Sequence, residues 1–160
     1  MLMRLIKLFR CFFPHRTNKY GIELIKQFEG FRAFPYLDTD GKEKIGFGCP
    51  VPPHTNFPIE FYDAERILFQ TLQPIEKLLN GNLSKQISSD EFSALAALAF
   101  NVGISHVLNS TLFKLVNQGK FEEASEEFVK WDHEGKEVVP GLLRRREAER
   151  DLFKSIHHQT

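Results

Sequence analysis

The stretch "FEGFRAFPYLDTDGKEKIGFGC", residues 28–49, decides the fold and raises the question of function. It holds two acids, Glu29 and Asp38, separated by an apolar and aromatic segment. Pro35 blocks a continued helix, and the turn residues "DTDG" can connect two short strands. The stretch therefore predicts the end of a helix followed by a β-hairpin, with strands at 36–37 and 45–47.

Helical patterns dominate the rest of the chain, because apolar residues recur there at helical spacing. Ser88 and Glu91 form a capping box at the start of the clearest helix, and Gly103 ends it. Pro74 is expected to kink or interrupt an earlier helix. The predicted helices cover residues 20–31, 59–79, 88–103, 110–119, 120–131 and 140 to the end. The fold class that follows is a mainly helical α+β domain with one small hairpin placed early.

Composition bounds the chain to one ordinary domain. Its 160 residues are enough to bury a core, and most of the 16 Phe residues should lie in it. Basic and acidic residues number 21 each, so the chain has no net positive charge to attract nucleic acid. No nucleic-acid partner is expected.

The first 20 residues carry only basic charges. The run "MLMRLIKLFRCFF" lacks the unbroken apolar region of a signal peptide and is too short to span a bilayer. Arg4, Lys7 and Arg10 share one face if this run is helical. Residues 1–13 can therefore make weak contact with a membrane surface as an amphipathic helix. The alternative is a frayed or packed N-terminal extension, since Pro14 stops the helix after few turns.

Cys11 and Cys49 are the only two cysteines. Two cysteines do not make a disulfide framework, and no His/Cys spacing is typical of a zinc site. Two free thiols in a reducing compartment are expected, with a single bridge formed after export as the alternative. No metal or cofactor is expected.

The two acids of the opening stretch have different surroundings. Glu29 is near Phe28, Phe31 and Phe34, and apolar surroundings favour a protonated carboxyl. Asp38 lies in a polar turn and should be ionised. Glycosidases use such a pair: one carboxyl protonates the leaving oxygen, and the other orients water or stabilises positive charge on the sugar. From these residues alone, the alternative that Glu29 and Asp38 are two ordinary solvated acids stays open.

Several motifs, in order along residues 20–155, resemble the phage-type lysozymes, endolysins that cut peptidoglycan. They are "GIELIKQFEGFRAFPYLDTDG…IGFG", "ALAALAFNVG", "NSTLFKLVNQG", "FVKW" and "PGLLRRREAERDLF", and are typical of the lambdoid branch. The resemblance implies two lobes with a cleft between them. A basic extension (1–19) would precede a lysozyme-like domain (20–160), made of a hairpin lobe (20–58), a connecting helix (59–80) and a helical lobe (81–160).

The resemblance also implies the site residues. Glu29 matches the general acid, and Asp38 matches the second carboxylate of an inverting glycosidase, which leaves room for a water. Positions that line the sugar cleft match Phe100, Asn101 and Thr111, although Phe100 also has the spacing of a core residue. The buried charge partner of Glu29 is expected to be one of Arg144, Arg145 and Arg146.

Two positions depart from the family pattern. Lys44 stands where the family has a Thr that helps hold the water, and Cys49 stands where it has His. The Lys44 ammonium can extend into solvent, or enter the cleft and favour the ionised form of Glu29. It can also pair with Asp38 and help position water or substrate. Cys49 is expected to pack as a small apolar residue, with a reactive thiol as the alternative.

The function implied is that of a muramidase acting as a monomer on peptidoglycan glycan strands without a cofactor. It would cut the β-1,4 bond between N-acetylmuramic acid and N-acetylglucosamine. It would be made in the host cytoplasm and reach the wall through a holin or equivalent. The alternative is a peptidoglycan-binding module that has lost turnover because Lys44 replaces the Thr.

Overall fold

A computed structural model describes residues 14–134 and 137–155. The helices are α1 (Lys19–Glu29), α2 (Phe61–Asn82), α3 (Ser89–Val102), α4 (Ile104–Leu108), α5 (Thr111–Gln118), α6 (Phe121–Glu127), a 3-10 helix (Phe128–Trp131) and α7 (Pro140–Lys154). One sheet contains β1 (Arg32–Leu37), β2 (Glu43–Gly46) and β3 (Cys49–Pro50), and a second pairs β4 (His133–Glu134) with β5 (Glu137–Val138). The predicted mainly helical α+β class is confirmed.

Asn18 begins α1 and fastens it to α3. Its Oδ1 accepts hydrogen bonds from the backbone N–H groups of Tyr20 and Gly21 at 3.1 and 3.2 Å, which caps the helix. Its Nδ2 donates to Asp90 Oδ1 at 2.6 Å, and its backbone N–H donates to Ser93 Oγ at 2.9 Å. The start of α1 is therefore set by a buried part of α3.

The end of α1 is set by glycine. Gly30 has φ +69°, a conformation that L side chains rarely adopt, and its N–H donates to the Lys26 carbonyl at 3.0 Å. The helix thus ends at Glu29, two residues earlier than the sequence predicts, and Glu29 lies on its last turn.

The larger sheet is antiparallel in the order β1-β2-β3 and packs against α2. Tyr36 lies opposite Lys44, and Ile45 lies opposite Cys49. Gly46 has φ +63°, and a Cβ placed on it would lie 3.0 Å from the Cβ of Ala64 in α2. The sheet can approach α2 this closely because Gly46 carries no side chain.

The long helix α2 passes through Pro74 without interruption, so the predicted interruption is wrong, and a kink stays a prediction. Pro74 has no N–H to donate to the carbonyl of Gln70, one turn earlier. Both residues are exposed, so water can satisfy that carbonyl. A missing hydrogen bond on the solvent side does not end the helix.

Helix α3 is the centre of the core. All residues from 92 to 99 are buried, as its nearly all-apolar pattern predicts. The capping box of Ser88 with Glu91 and the stop at Gly103 are both present. Helices α1, α2 and α7 pack around α3. The lobe boundaries at 58 and 80 stay a prediction, with the qualification that α1 packs against α3 and α7.

Several short elements were not expected from the sequence. They are strand β3, helix α4 and the two-residue pair β4–β5. Each is five residues or shorter, below the length at which periodicity is informative. The 3-10 helix that continues α6 lies within the helix predicted for residues 120–131. The proposed amphipathic segment 1–13 lies outside the described residues. Within the residues that the structure describes, no helix is both long and apolar enough to cross a membrane.

Replacing Asn18 should separate its two roles. Asn18→Ala loses both the cap and the bond to Asp90, and should lower the free energy of unfolding by about 1–2 kcal/mol. Asn18→Asp keeps a cap acceptor but places a second carboxylate beside Asp90. Denaturant unfolding of the two variants measures the difference. If Asn18→Asp is as stable as wild type, the bond to Asp90 contributes nothing.

Candidate active site

Glu29 lies where the end of α1 meets the β2–β3 turn and α7. Its Oε1 accepts a hydrogen bond from Arg145 Nη1 at 2.6 Å, and Arg145 is buried. The Glu29 side chain is 19% exposed, so it is held by the protein but reachable from solvent. This combination suits a group that must be oriented and still meet a substrate.

Gly48 makes room for this carboxyl. A Cβ placed on Gly48 would lie 2.5 Å from Glu29 Oε2, far inside van der Waals contact. The residue also has φ +72°, a further reason for glycine at this position. The second glycine of "GFG" is therefore required by the position of Glu29.

Asp38 lies in the β1–β2 turn and accepts several hydrogen bonds. Its Oδ1 accepts from the backbone N–H groups of Asp40 and Lys42 at 3.0 and 3.3 Å. Its Oδ2 lies 2.5 Å from Lys44 Nζ. Hydrogen bonding with the Asp40 side chain, and then with Lys44, lowers the pKa of Asp38 well below its ordinary value. Asp38 is therefore ionised at neutral pH.

Lys44 forms its ion pair with Asp38, and its side chain is 34% exposed. Burial opposes the charged form of Lys44, but the hydrogen bond from its ammonium to Asp38 outweighs burial and raises its pKa. Of the three expectations for Lys44, the structure shows the pairing with Asp38. The ammonium is neither free in solvent nor bonded to Glu29.

The aromatic residues around Glu29 do not form the expected apolar pocket. Phe34 is 62% exposed. Phe31 packs on Phe47 and Phe61 at ring-centroid distances of 5.9 and 5.6 Å. The Phe28 ring lies 5.8 Å from the Arg145 guanidinium. A cation, not an aromatic enclosure, is the main neighbour of the Glu29 carboxyl.

The three consecutive arginines of α7 separate into different environments. Arg144 is exposed, whereas Arg145 and Arg146 are buried. Arg145 contacts Glu29, and Arg146 Nη2 donates to Asn101 Oδ1 at 2.9 Å. The helical spacing turns adjacent residues in different directions, so these arginines reach different elements.

The other predicted cleft residues are spread more widely. Asn101 is exposed and joins the arginine cluster, while Phe100 is partly buried against the core. Thr111 is exposed and helps line a groove of about 600 Å³ that also contains Trp131.

Cys49 is fully buried, and burial raises the pKa of its thiol to about 11. A thiol that stays protonated is not reactive, which favours the packing interpretation. Cys49 is free within the described part of the chain, and Cys11 lies outside it. Across residues 14–134 and 137–155, no cluster of three or more His, Cys, Asp or Glu residues could hold a metal.

Two residues at this site were missed from the sequence. The contact of Gly48 with Glu29 depends on where the β2–β3 turn lies in space. Glu149 is fully buried between Arg145 and Arg146. Its i,i+3 and i,i+4 spacing from the two arginines was a signal in the sequence that it could pair with them.

Gly48→Ala should destabilise the protein beyond the cost of backbone strain. Gly119→Ala is the matched control, because Gly119 has a similar φ of +77° and a Cβ there would meet its nearest atom at 3.7 Å. The excess loss at Gly48 should be about 1–3 kcal/mol, since an oversized group must displace the Glu29 carboxyl. Chemical denaturation of both variants measures it. Equal losses would contradict a clash with Glu29.

Comparisons with known proteins place this site in a family. The phage lysozyme family model matches residues 26–149. The endolysin of Bacillus phage B103 is 37% identical over 139 residues, or 85% of this chain, which spans 53% of that relative. The endolysin of Acyrthosiphon pisum secondary endosymbiont phage 1 is 34% identical over 145 residues, covering 88% of this chain and 99% of the relative.

A solved structure agrees with these matches. The muramidase domain of SpmX from Asticaccaulis excentricus superposes with a TM-score of 0.81 at 31% identity, covering 88% of this chain and 99% of that one. The family match includes Glu29, Asp38, Lys44 and Arg145, so it covers the site as well as the fold. The chain belongs to the phage lysozyme family.

Proposed function

We propose that the chain is a muramidase of the endolysin type, a glycoside hydrolase that acts on bacterial peptidoglycan. The bond cut is the β-1,4 linkage between N-acetylmuramic acid and N-acetylglucosamine. Membership of the phage lysozyme family supports this reaction class. The observation that carries the proposal is the state of the two carboxyls: Glu29 is held but reachable, and Asp38 is kept ionised in the adjacent sheet.

Glu29 serves as the general acid. Its protonated carboxyl donates to the glycosidic oxygen, which then leaves as a hydroxyl. Arg145 holds the carboxyl, and Gly48 leaves the space that it occupies, so little reorientation is needed when the substrate binds. The acid therefore acts from a rigid helix end.

Asp38 serves as the second carboxylate. Its ionised form orients the attacking water or stabilises positive charge as it develops on the sugar ring. Lys44 Nζ holds Oδ2, and the turn N–H groups hold Oδ1. The ammonium has three protons, so after bonding Asp38 it can still donate to a water or a substrate hydroxyl. Lys44 thereby takes the third catalytic position.

Substrate contacts beyond the two carboxyls come from the helical part of the chain. Asn101 offers an exposed amide next to the arginine cluster, and Phe100 lies beside it. The groove that contains Thr111 and Trp131 provides hydroxyl and aromatic surface suited to a sugar. We assign these residues to binding of the glycan strand by a monomeric enzyme.

Glu29→Gln should lower turnover at least about 100-fold, because the amide cannot donate a proton as an acid does. Glu23→Gln, on the exposed side of the same helix, is the matched control and should retain activity. Purified peptidoglycan is digested, the products are reduced with borohydride, and muropeptides are identified by mass spectrometry. A muramidase leaves reduced muramic acid ends. Wild type that releases nothing would refute the proposal.

A second function is favoured by one observation, the short ion pair between Lys44 and Asp38. If this pair occupies the place of the attacking water, the chain binds peptidoglycan without cutting it. Lys44→Thr distinguishes the two. If the chain is an enzyme in which Asp38 depends on Lys44, the variant should lose about tenfold in rate. This loss corresponds to about 1.36 kcal/mol of activation free energy. As a binding module, it should gain activity.

Lys42→Thr is the control for this substitution. Lys42 lies in the same turn, but its ammonium pairs with Asp40 at 2.7 Å on the exposed side. The Lys42→Thr variant should leave both peptidoglycan binding and turnover unchanged. Pull-down on insoluble peptidoglycan, run beside the digestion, shows whether a variant that does not cut still binds.

We further propose that the chain acts at the cell wall after synthesis in the cytoplasm of a bacterial host. Its relation to phage endolysins supports release to the wall. The proposed route to the wall is a holin or an equivalent pore. Expression in bacteria with and without a co-expressed holin tests it, and lysis that does not depend on the holin would contradict it.

A further inference from the structure

The ion pair at Glu29 poses a problem for its role as an acid. Glu29 must carry a proton to protonate the leaving oxygen. Yet Arg145 Nη1 lies 2.6 Å from Glu29 Oε1, and a cation at that distance favours the ionised carboxylate. A further group that draws charge away from Glu29 would resolve this conflict.

Glu149 is such a group, one turn along α7 from the two buried arginines. Its Oε1 accepts from Arg145 Nε at 3.3 Å and from Arg146 Nη2 at 2.9 Å. Its Oε2 lies 2.9 Å from Arg146 Nε. The side chain has no exposed surface, so water does not screen these contacts. Arg145 is therefore shared between two carboxyls.

The charges of this cluster balance only when both carboxyls are ionised. Arg145 and Arg146 supply two positive charges, and Glu29 and Glu149 supply two negative ones. Arg145 Nη2 and Arg146 Nη1 are buried without a hydrogen bond among the described residues. A proton on either carboxyl leaves one cation of the cluster less fully compensated.

Other elements that pack on α7 contribute little charge to this cluster. Helix α1 supplies Glu29 and the Phe28 ring, and α3 supplies the uncharged Asn101. Lys44 and Tyr36 of the hairpin interact electrostatically with Glu29 itself, and the variants below leave both unchanged. The acids of α6 pair elsewhere: Glu122 and Glu126 contact Lys154 at the far end of α7. Glu127, at the end of α6, pairs with Lys130. Competition for Arg145 thus lies between Glu29 and Glu149.

We propose that Glu149 is a positioning residue that sets the protonation of Glu29 by competing with it for Arg145. This inference rests on the proposed function of Glu29 as the acid. When Glu149 is ionised, it compensates Arg145, so less of the Arg145 charge acts on Glu29. When Glu149 loses its charge, Arg145 acts on Glu29 alone and favours its ionised form.

Two opposing effects act on the Glu149 carboxyl. Burial raises its pKa, and the two arginines oppose that rise. The two guanidiniums in contact with it favour its ionised form, in which it competes for Arg145. Two carboxyls that share one guanidinium lose their protons as a coupled pair, so the pH profile of the enzyme belongs to both.

Glu149→Gln tests the coupling, because the amide keeps the shape of the side chain and removes its charge. The alkaline limb of kcat/KM, measured on soluble peptidoglycan fragments, should move to lower pH by about one unit. Glu147→Gln removes the same charge from the same helix outside the cluster and should leave the limb in place. Glu149→Asp retains the charge and should restore most of the wild-type profile.

A loss of activity with no movement of the limb would mean that Glu149 only stabilises the fold, and would overturn the proposal. An equal shift in Glu147→Gln would overturn it as well. If Glu149→Gln does not fold, the pair Glu149→Gln with Arg146→Met removes both buried charges together. Its reference is Arg146→Met alone, in which Glu149 still compensates Arg145, and relative to that variant the alkaline limb should lie at lower pH.

A second readout separates this inference from the proposed function. The carboxyl ¹³C signal of Glu29, assigned by its absence in Glu29→Gln, reports the protonation of Glu29 without any substrate. Its titration should move to lower pH in Glu149→Gln even if the chain cuts no peptidoglycan. If the wild type is inactive but the Glu29 signal moves in Glu149→Gln, the proposed function is refuted and the coupling of Glu149 to Glu29 stands. Active wild type without this movement would refute the coupling.

Discussion

One guanidinium, that of Arg145, joins the candidate acid to the helical core, and the geometry of the site depends on it. Arg145 reaches Glu29 across 116 positions of sequence, and this contact requires α1 and α7 to lie together against α3. A buried cation needs compensating charge, which Glu29 and Glu149 supply from opposite sides. The packing of three helices is thus coupled to the state of one carboxyl at the end of α1.

The other half of the site is built locally. Asp38 and Lys44 are six residues apart in one hairpin, and the turn N–H groups of Asp40 and Lys42 hold the same carboxylate. This half needs only the β1–β2 turn to form. Glu29, in contrast, has its orientation from α7 and from the β2–β3 turn. Substrate binding would bring together a carboxyl fixed by long-range packing and one fixed by a short turn.

The helices and the two carboxyls could be predicted, because periodicity, caps and motif order are properties of short segments. Ser88, Glu91 and Gly103 mark α3 as the sequence predicts. The passage of α2 through Pro74 could not be predicted, because it depends on which side of the helix faces water. Motif resemblance narrowed the charge partner to three arginines, and only the direction of each side chain separates Arg145 from its neighbours. The sequence likewise left open which group the Lys44 ammonium contacts, because that depends on the geometry of the hairpin.

Gly46, at the end of β2, and Gly48, in the β2–β3 turn, face different helices. A side chain on Gly46 would meet Ala64 of α2, and one on Gly48 would meet the Glu29 carboxyl at the end of α1. The backbone of residues 46–48 therefore lies close to Ala64 at one glycine and to the Glu29 carboxyl at the other. A residue larger than alanine at position 64 would displace this backbone, and Gly48 is only two residues further along. The position of the acid is thus sensitive to side-chain size at a position in another helix.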